Sequence, residues 1–207
     1  MPKAFAADER ERIREQLLAA GRSCFERYGL TKTTVEDLTR PVGIAKSSFY
    51  LFFSSKEELY AEIMFEEMPE MMRRLAEASY ERTEDVREAL VLLMHAIVRE
   101  IETNPFSKAM LDRPEEFVRL ARSVDVERLL QRGAALFAPL AAWIEDRQRR
   151  GEIVDGDPQD LVYALGLIKL LPLNRDRVPE PLYRRMLALI PRILAEGLTC
   201  PTQEATR

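Results

Sequence analysis

Lys46, Ser47, Ser48 and Tyr50 place one ammonium and three hydroxyls within five residues, and Lys56 adds a second ammonium ten positions on. Groups of this kind donate hydrogen bonds to phosphate oxygens and base edges, and small serines allow close approach. The chemistry on offer is recognition rather than bond-making. Catalysis needs a positioned base, and the chain has a single histidine, His95, inside the apolar stretch LVLLMHAIV. No cysteine or carboxylate stands at ligand spacing beside it, so it reads as a core or pocket-lining residue. Zinc, EF-hand and HExxH spacings are absent, as are GxGxxG and P-loop patterns. Glu66–Glu67 and Glu115–Glu116 read as solvated helix surface. No catalytic residue, metal or cofactor is expected, and the enzyme reading is weak.

The polar cluster needs elements to hold it. Thr33 and Thr34 each stand three residues before an acid, Glu36 or Asp37, so either can cap a short helix whose inward residues are Val35 and Leu38. Pro41 ends that helix near Arg40. Gly43 then permits the sharp turn between two helices. The next helix, roughly Ala45 to Phe53, turns Phe49, Phe52 and Phe53 inward and carries Lys46, Ser47, Ser48 and Tyr50 near its start. A recognition helix in a major groove has this layout. Ser55 caps a third helix with Glu58 at the capping-box position, and Lys56 beside that helix N-terminus makes a phosphate site.

The stretch TTVEDLTRPVGIAKSSFYLFFSSKEEL (Thr33–Leu59) resembles the DNA-binding domain of TetR-family transcriptional regulators. The likeness rests on the TTVEDL entry, the Gly43 turn, SSFY, Phe53 and SKEEL. Upstream, AAGRSCFERYGL resembles the end of that family's first helix, with Ala19, Ala20, Phe25 and Gly29 in place. It extends from about Ile13 to Met64. Pro41 departs from the pattern, Ala45 replaces the usual serine cap, and Leu51 and Phe52 stand where tyrosine or histidine often contacts phosphate. The expected DNA contacts are Thr33, Thr34, Lys46, Ser47, Ser48, Tyr50 and Lys56. Arg10, Arg12 and Arg14 fit a solvated first turn, with a DNA-reaching arm as the second reading.

Length and composition agree with a globular chain. It has 207 residues, 46% hydrophobic and 32% charged, with no apolar run of bilayer length and a charged N-terminus unlike a signal peptide. A cytoplasmic location is expected, with Cys24 and Cys200 as reduced thiols. Net charge is −4, divided as +1 over residues 1–60 (10 Lys+Arg against 9 Asp+Glu) and −5 over 61–207 (21 against 26). DNA binding requires a local basic face, not a basic whole.

The fold expected is all-α: an N-terminal three-helix helix-turn-helix domain over residues 1–54, then a helical effector-binding and dimerisation domain over 55–200, with a disordered tail over 201–207. Helical periodicity covers Asp8 to Tyr28, Lys56 to Glu81 with Pro69 inside, Thr83 to Asn104, and Val126 to Arg150 with Pro139 inside. Phe106, Met110, Pro114 and Phe117 lie in a less regular region. Asp157-Pro158 starts another helix, and LVYALGLIKLL (Leu161–Leu171) is apolar nearly all round, so burial on more than one side is expected. Pro181 to Glu196 is the last. These two apolar helices suggest a homodimer, which the resemblance also implies, with plain monomer core as the alternative. The resemblance implies a small-molecule site as well; Met68, Met72, Met94, His95, Phe106, Met110, Phe117 and Phe137 are the guessed lining, for a mostly apolar effector. Met64, Met71 and Trp143 belong to the same apolar set. The function so implied is a homodimeric repressor on a palindromic double-stranded DNA operator. An all-α ligand carrier or enzyme that has lost specific DNA binding is the second reading.

Overall fold

The computed structural model describes residues 7–104, 113 and 126–199, and no side chain at 126–131, 133 or 134. Every regular element among them is helical: α1 (Ala7–Lys32), α2 (Val35–Thr39), α3 (Lys46–Phe49), α4 (Lys56–Ala78), α5 (Val86–Thr103), α6 (Val126–Arg149), α7 (Pro158–Gly166), α8 (Leu170–Leu173) and α9 (Glu180–Thr199). Short 3₁₀ turns at Leu167–Lys169 and Arg175–Arg177 flank α8. The chain forms two compact units that change over inside α4, at Met68/Pro69.

The first unit is built on a close pairing of α1 with the start of α4. Gly21 makes it possible: a Cβ there would lie 2.8 Å from Ile63 Cδ1 and 3.0 Å from Leu59 Cδ2. Around this notch Leu17, Phe25, Leu38, Phe49, Leu59 and Ile63 are wholly buried, each side chain contributing about 1.5–3 kcal/mol by burial. Phe25 meets Tyr60 edge-on at 5.0 Å between ring centroids. The rim of the pair is charged, with Arg14 on Glu62 (3.2 Å) and Arg22 between Glu66 (3.3 Å) and Glu67 (2.9 Å). Gly29 breaks α1 with φ 76°, a left-handed conformation that glycine adopts without Cβ strain. The Cys24 thiol donates to the Asp37 carbonyl at 3.9 Å, and burial pushes its pKa up. Cys200 lies outside the described residues, as do Phe106, Met110, Pro114, Phe117 and the 201–207 tail.

The second unit packs α5 against α9 and gathers Leu90, Leu93 and Met94 with Leu140, Ile144, Val162 and Leu165. Asp85 rather than Thr83 starts α5, accepting from the Glu88 amide at 3.0 Å. The Arg147 guanidinium lies over the Trp143 ring and bridges Glu84 and Glu152, each at 3.0 Å. Asp157 caps α7 through the Gln159 amide (2.8 Å) with Pro158 in its first turn.

In the single chain the Leu161–Leu171 segment is covered on one side. Val162, Leu165 and Ile168 are buried, but Leu167 is 58% exposed, and Tyr163 and Leu170 also face outward. The helix breaks into a 3₁₀ turn after Gly166, so only one side of this segment meets the core. On α9, Leu189 and Ile193 are each 55% exposed, while Tyr183, Pro191 and Ala195 face inward. An outward apolar surface runs along both segments.

Candidate nucleic-acid interface

The interface starts at Thr34. Its hydroxyl accepts from the Asp37 amide (3.2 Å), and the Asp37 carboxylate accepts from the Thr34 amide (3.0 Å) and hydroxyl (2.6 Å). Of the two caps open to the sequence, this reciprocal box selects the Thr34 register. The bond from the Thr34 hydroxyl is the main cause that holds the Asp37 carboxyl below its usual range. Thr33 takes a different part: it is 0% exposed, and its hydroxyl donates to the Gly29 carbonyl at 2.7 Å. It therefore ties the end of α1 and is not a surface contact.

α2 ends at Thr39 with Arg40 as its cap, one residue before Pro41. Gly43 turns the chain with φ 74°, and its amide donates to the Thr39 carbonyl at 3.0 Å. α3 then starts at Ala45, which has no side-chain acceptor for the free amides. Only Lys46–Phe49 is α-helical. Leu51 and Phe52 donate to the Ser48 and Phe49 carbonyls in i→i+3 bonds, so the segment tightens into a turn earlier than its apolar spacing suggested. Phe49 and Phe53 anchor it from below, buried and 5.9 Å apart between centroids.

That anchoring leaves Lys46, Ser47 and Tyr50 exposed and Ser48 half-buried. Tyr50 is 52% exposed with its ring edge-on to Phe49. The Lys46 ammonium pairs with the Glu36 carboxylate of α2 at 2.8 Å. This contact raises the Lys46 pKa and lowers that of Glu36, so both stay charged. Thr34, Lys46, Ser47 and Tyr50 are thus offered to solvent by neighbouring elements of one unit.

Lys56 is placed otherwise. Its ammonium donates to the carbonyls of Leu30 (2.6 Å), Thr31 (3.2 Å) and Thr33 (2.7 Å). These acceptors close the end of α1, so Lys56 clasps that end onto α4. Ser55 caps α4 through the Glu58 amide at 3.0 Å, but the Glu58 carboxylate reaches back to the Ser54 amide and hydroxyl, both 2.6 Å.

The guessed effector residues are scattered. Met72 and Met94 are buried core, Phe137 is half-buried with its ring edge-on to Tyr163, and Met68 is half-buried in the other unit. His95 is exposed, which corrects its reading as a core residue. Met94 and Val98 take the buried side of α5, and a step of one residue rotates a side chain by about 100°. An apolar groove of about 330 Å³ lies elsewhere, between the α8 segment and α9, with Leu167, Leu171, Val178, Met186, Ile190 and Leu194 in its walls. Of the candidates among the described residues, none lines it. Tyr183 forms part of its floor and donates to Glu102 at 2.8 Å. No helix among the described residues is long and apolar enough to cross a membrane, and no group of three or more metal-capable side chains occurs among them.

Residues 17–63 match the family model described as bacterial regulatory proteins, tetR family. The HTH-type transcriptional repressor Rv1474c of Mycobacterium tuberculosis is 30% identical over 173 residues, covering 78% of this chain and 80% of that protein. A TetR-family transcriptional regulator of Pectobacterium atrosepticum shares the fold with a TM-score of 0.70 at 20% identity, over 95% of this chain and 100% of its own. RolR, solved in complex with its ligand resorcinol, shares it with a TM-score of 0.65 at 13% identity, over 94% and 98%.

Proposed function

The chain belongs to the tetR family of bacterial regulatory proteins and is a transcriptional regulator; from that premise we propose that it represses transcription as a homodimer on a palindromic operator and is released by a small apolar effector. The observation that carries the DNA reading is the stance of α3. Phe49 and Phe53 bury its underside, so Lys46, Ser47 and Tyr50 project outward, beside a capped α2 that presents Thr34. Ser47 and Ser48 read base edges, while Lys46 and Tyr50 hold phosphate oxygens. Lys46 must exchange Glu36 for phosphate to do so.

The outward apolar surface of Leu167, Leu170, Leu189 and Ile193 supports self-association of two copies, and a two-fold protein fits a two-fold operator. Half-sites then lie about one helical turn, or 34–36 Å, apart or at a multiple of it. RolR's resorcinol supports a small-molecule effector for a chain of this fold. An effector that favours one conformation shifts the population of α4, the helix common to both units, and so alters DNA affinity.

The test is selection of genomic fragments by the purified protein, read with its mass in solution. A two-chain species that enriches one palindrome is the expected result. A protein that enriches no sequence at low salt refutes the DNA reading and directs attention to the carrier or enzyme alternative.

A further inference from the structure

The end of the recognition segment is apolar, yet a cation from another helix sits on it. Leu51 is exposed and Phe52 half-buried, and neither offers a donor. Arg10, in the first turn of α1, donates from Nη2 to the Leu51 carbonyl at 2.8 Å. Its guanidinium carbon lies 5.6 Å from the centre of the Phe52 ring, in cation–π range. One hydrogen bond and one ring contact thus fix an exposed guanidinium at this point.

Four other cations of the unit are differently occupied. Arg14 and Arg22 are held by Glu62, Glu66 and Glu67, Lys46 by Glu36, and Lys56 by three carbonyls. Arg10 has no carboxylate partner among the described residues. A guanidinium carries five N–H donors in a planar fork, and the Leu51 carbonyl uses only part of that capacity. An anion arriving at the end of α3 therefore meets an un-neutralised donor whose position is already set, which lowers the ordering entropy of the contact.

We propose that Arg10 is a phosphate-binding residue of the DNA interface, delivered from α1 to the end of the recognition segment, where residues 51 and 52 supply no polar side chain. The assignment rests on the DNA-binding reading above. It extends the interface from α2 and α3 to the first turn of α1, and it gives Arg10 two roles on one side chain. The bond to Leu51 closes the tight turn, and the remaining fork holds a backbone phosphate outside the base-reading residues. Because the contact is to backbone, it strengthens binding to every sequence alike.

The experiment is a fluorescence-anisotropy titration of the selected duplex over a range of KCl concentrations, with the full-length protein and its R10A, R10Q and R10K variants. Circular dichroism checks that each is folded. Glutamine keeps a donor for the Leu51 carbonyl and lacks the charge, so a purely structural clamp would leave R10Q binding like wild type. R10A and R10Q are expected to flatten the slope of log K against log salt by about 0.9 per protomer, and to weaken binding about eightfold per protomer at 0.1 M salt. R10K is expected to keep the wild-type slope. A wild-type slope in R10Q overturns the assignment and leaves the DNA reading standing. A wild-type protein that binds no duplex in a salt-dependent way overturns both.

Discussion

Replacing Lys56 by methionine separates its clasp from any contact with DNA. Methionine keeps the length and apolar character of the stem and removes only the ammonium. Three bonds are lost, of which those to the Leu30 and Thr33 carbonyls are part-buried and that to Thr31 is exposed. Hydrogen bonds from a charged donor contribute about 1.5–3 kcal/mol in mutational series. Two part-buried bonds at the low end, reduced because water reaches the vacated carbonyls, leave about 2 kcal/mol. That is roughly a thirtyfold rise in opening of the first unit. A melting curve followed by tryptophan fluorescence reports from the second unit, where Trp143, the sole tryptophan, lies. Native-state amide exchange over residues 24–38 reads opening of the first unit directly, as about thirtyfold faster exchange where unit opening exposes the amide. Exchange within threefold of wild type, with a DNA salt slope flatter by about 0.9, would refute the clasp and return Lys56 to a phosphate contact.

Two further outcomes follow from the same geometry. Asp37 has a folded pKa below its usual 3.8, so its contribution to stability is complete above about pH 3.8 and is lost as pH falls through the folded value. D37N should therefore unfold at lower urea than wild type between pH 5 and 7, with the two midpoints converging as the pH drops below that value; a gap that stays constant would contradict the capping-box assignment. Ile193 is exposed on the apolar face of α9, so I193E should convert a two-chain species to single chains in sedimentation while helical content is kept. An unchanged sedimentation coefficient would place the interface elsewhere.

What the sequence disclosed was local. Asp157 with Pro158, the Gly43 turn and the stop before Pro41 are each set by residues within four positions of one another, so spacing alone predicts them; for the cap of α2, spacing left Thr33 and Thr34 both open, and the Asp37 bonds select Thr34. The length of α3 was less legible, because the missing cap at Ala45 and the i→i+3 bonds after Phe49 do not alter the apolar pattern. The clasp of Lys56 was illegible for a different reason: its acceptors are backbone carbonyls 23 to 26 residues away, and a carbonyl leaves no mark in a sequence. His95 lies in an apolar string, but a helix turns one residue in that string outward regardless of its neighbours. In Leu161–Leu171 apolar character shows that a face avoids water without showing whose surface covers it. Arg10 was visible only as one charge among several, and its proximity to Leu51 and Phe52 is a product of folding.

The Lys46–Glu36 pair has a consequence for search on a long chromosome. A cation already neutralised by a neighbouring carboxylate releases fewer counterions from random duplex, so indiscriminate adhesion is blunted. Both partners are exposed, and surface pairs of this kind are weak, so a well-positioned phosphate can displace the carboxylate. On the DNA reading proposed above, Glu36 would act as a toll on every loose encounter, and E36Q would hold DNA more firmly and discriminate less.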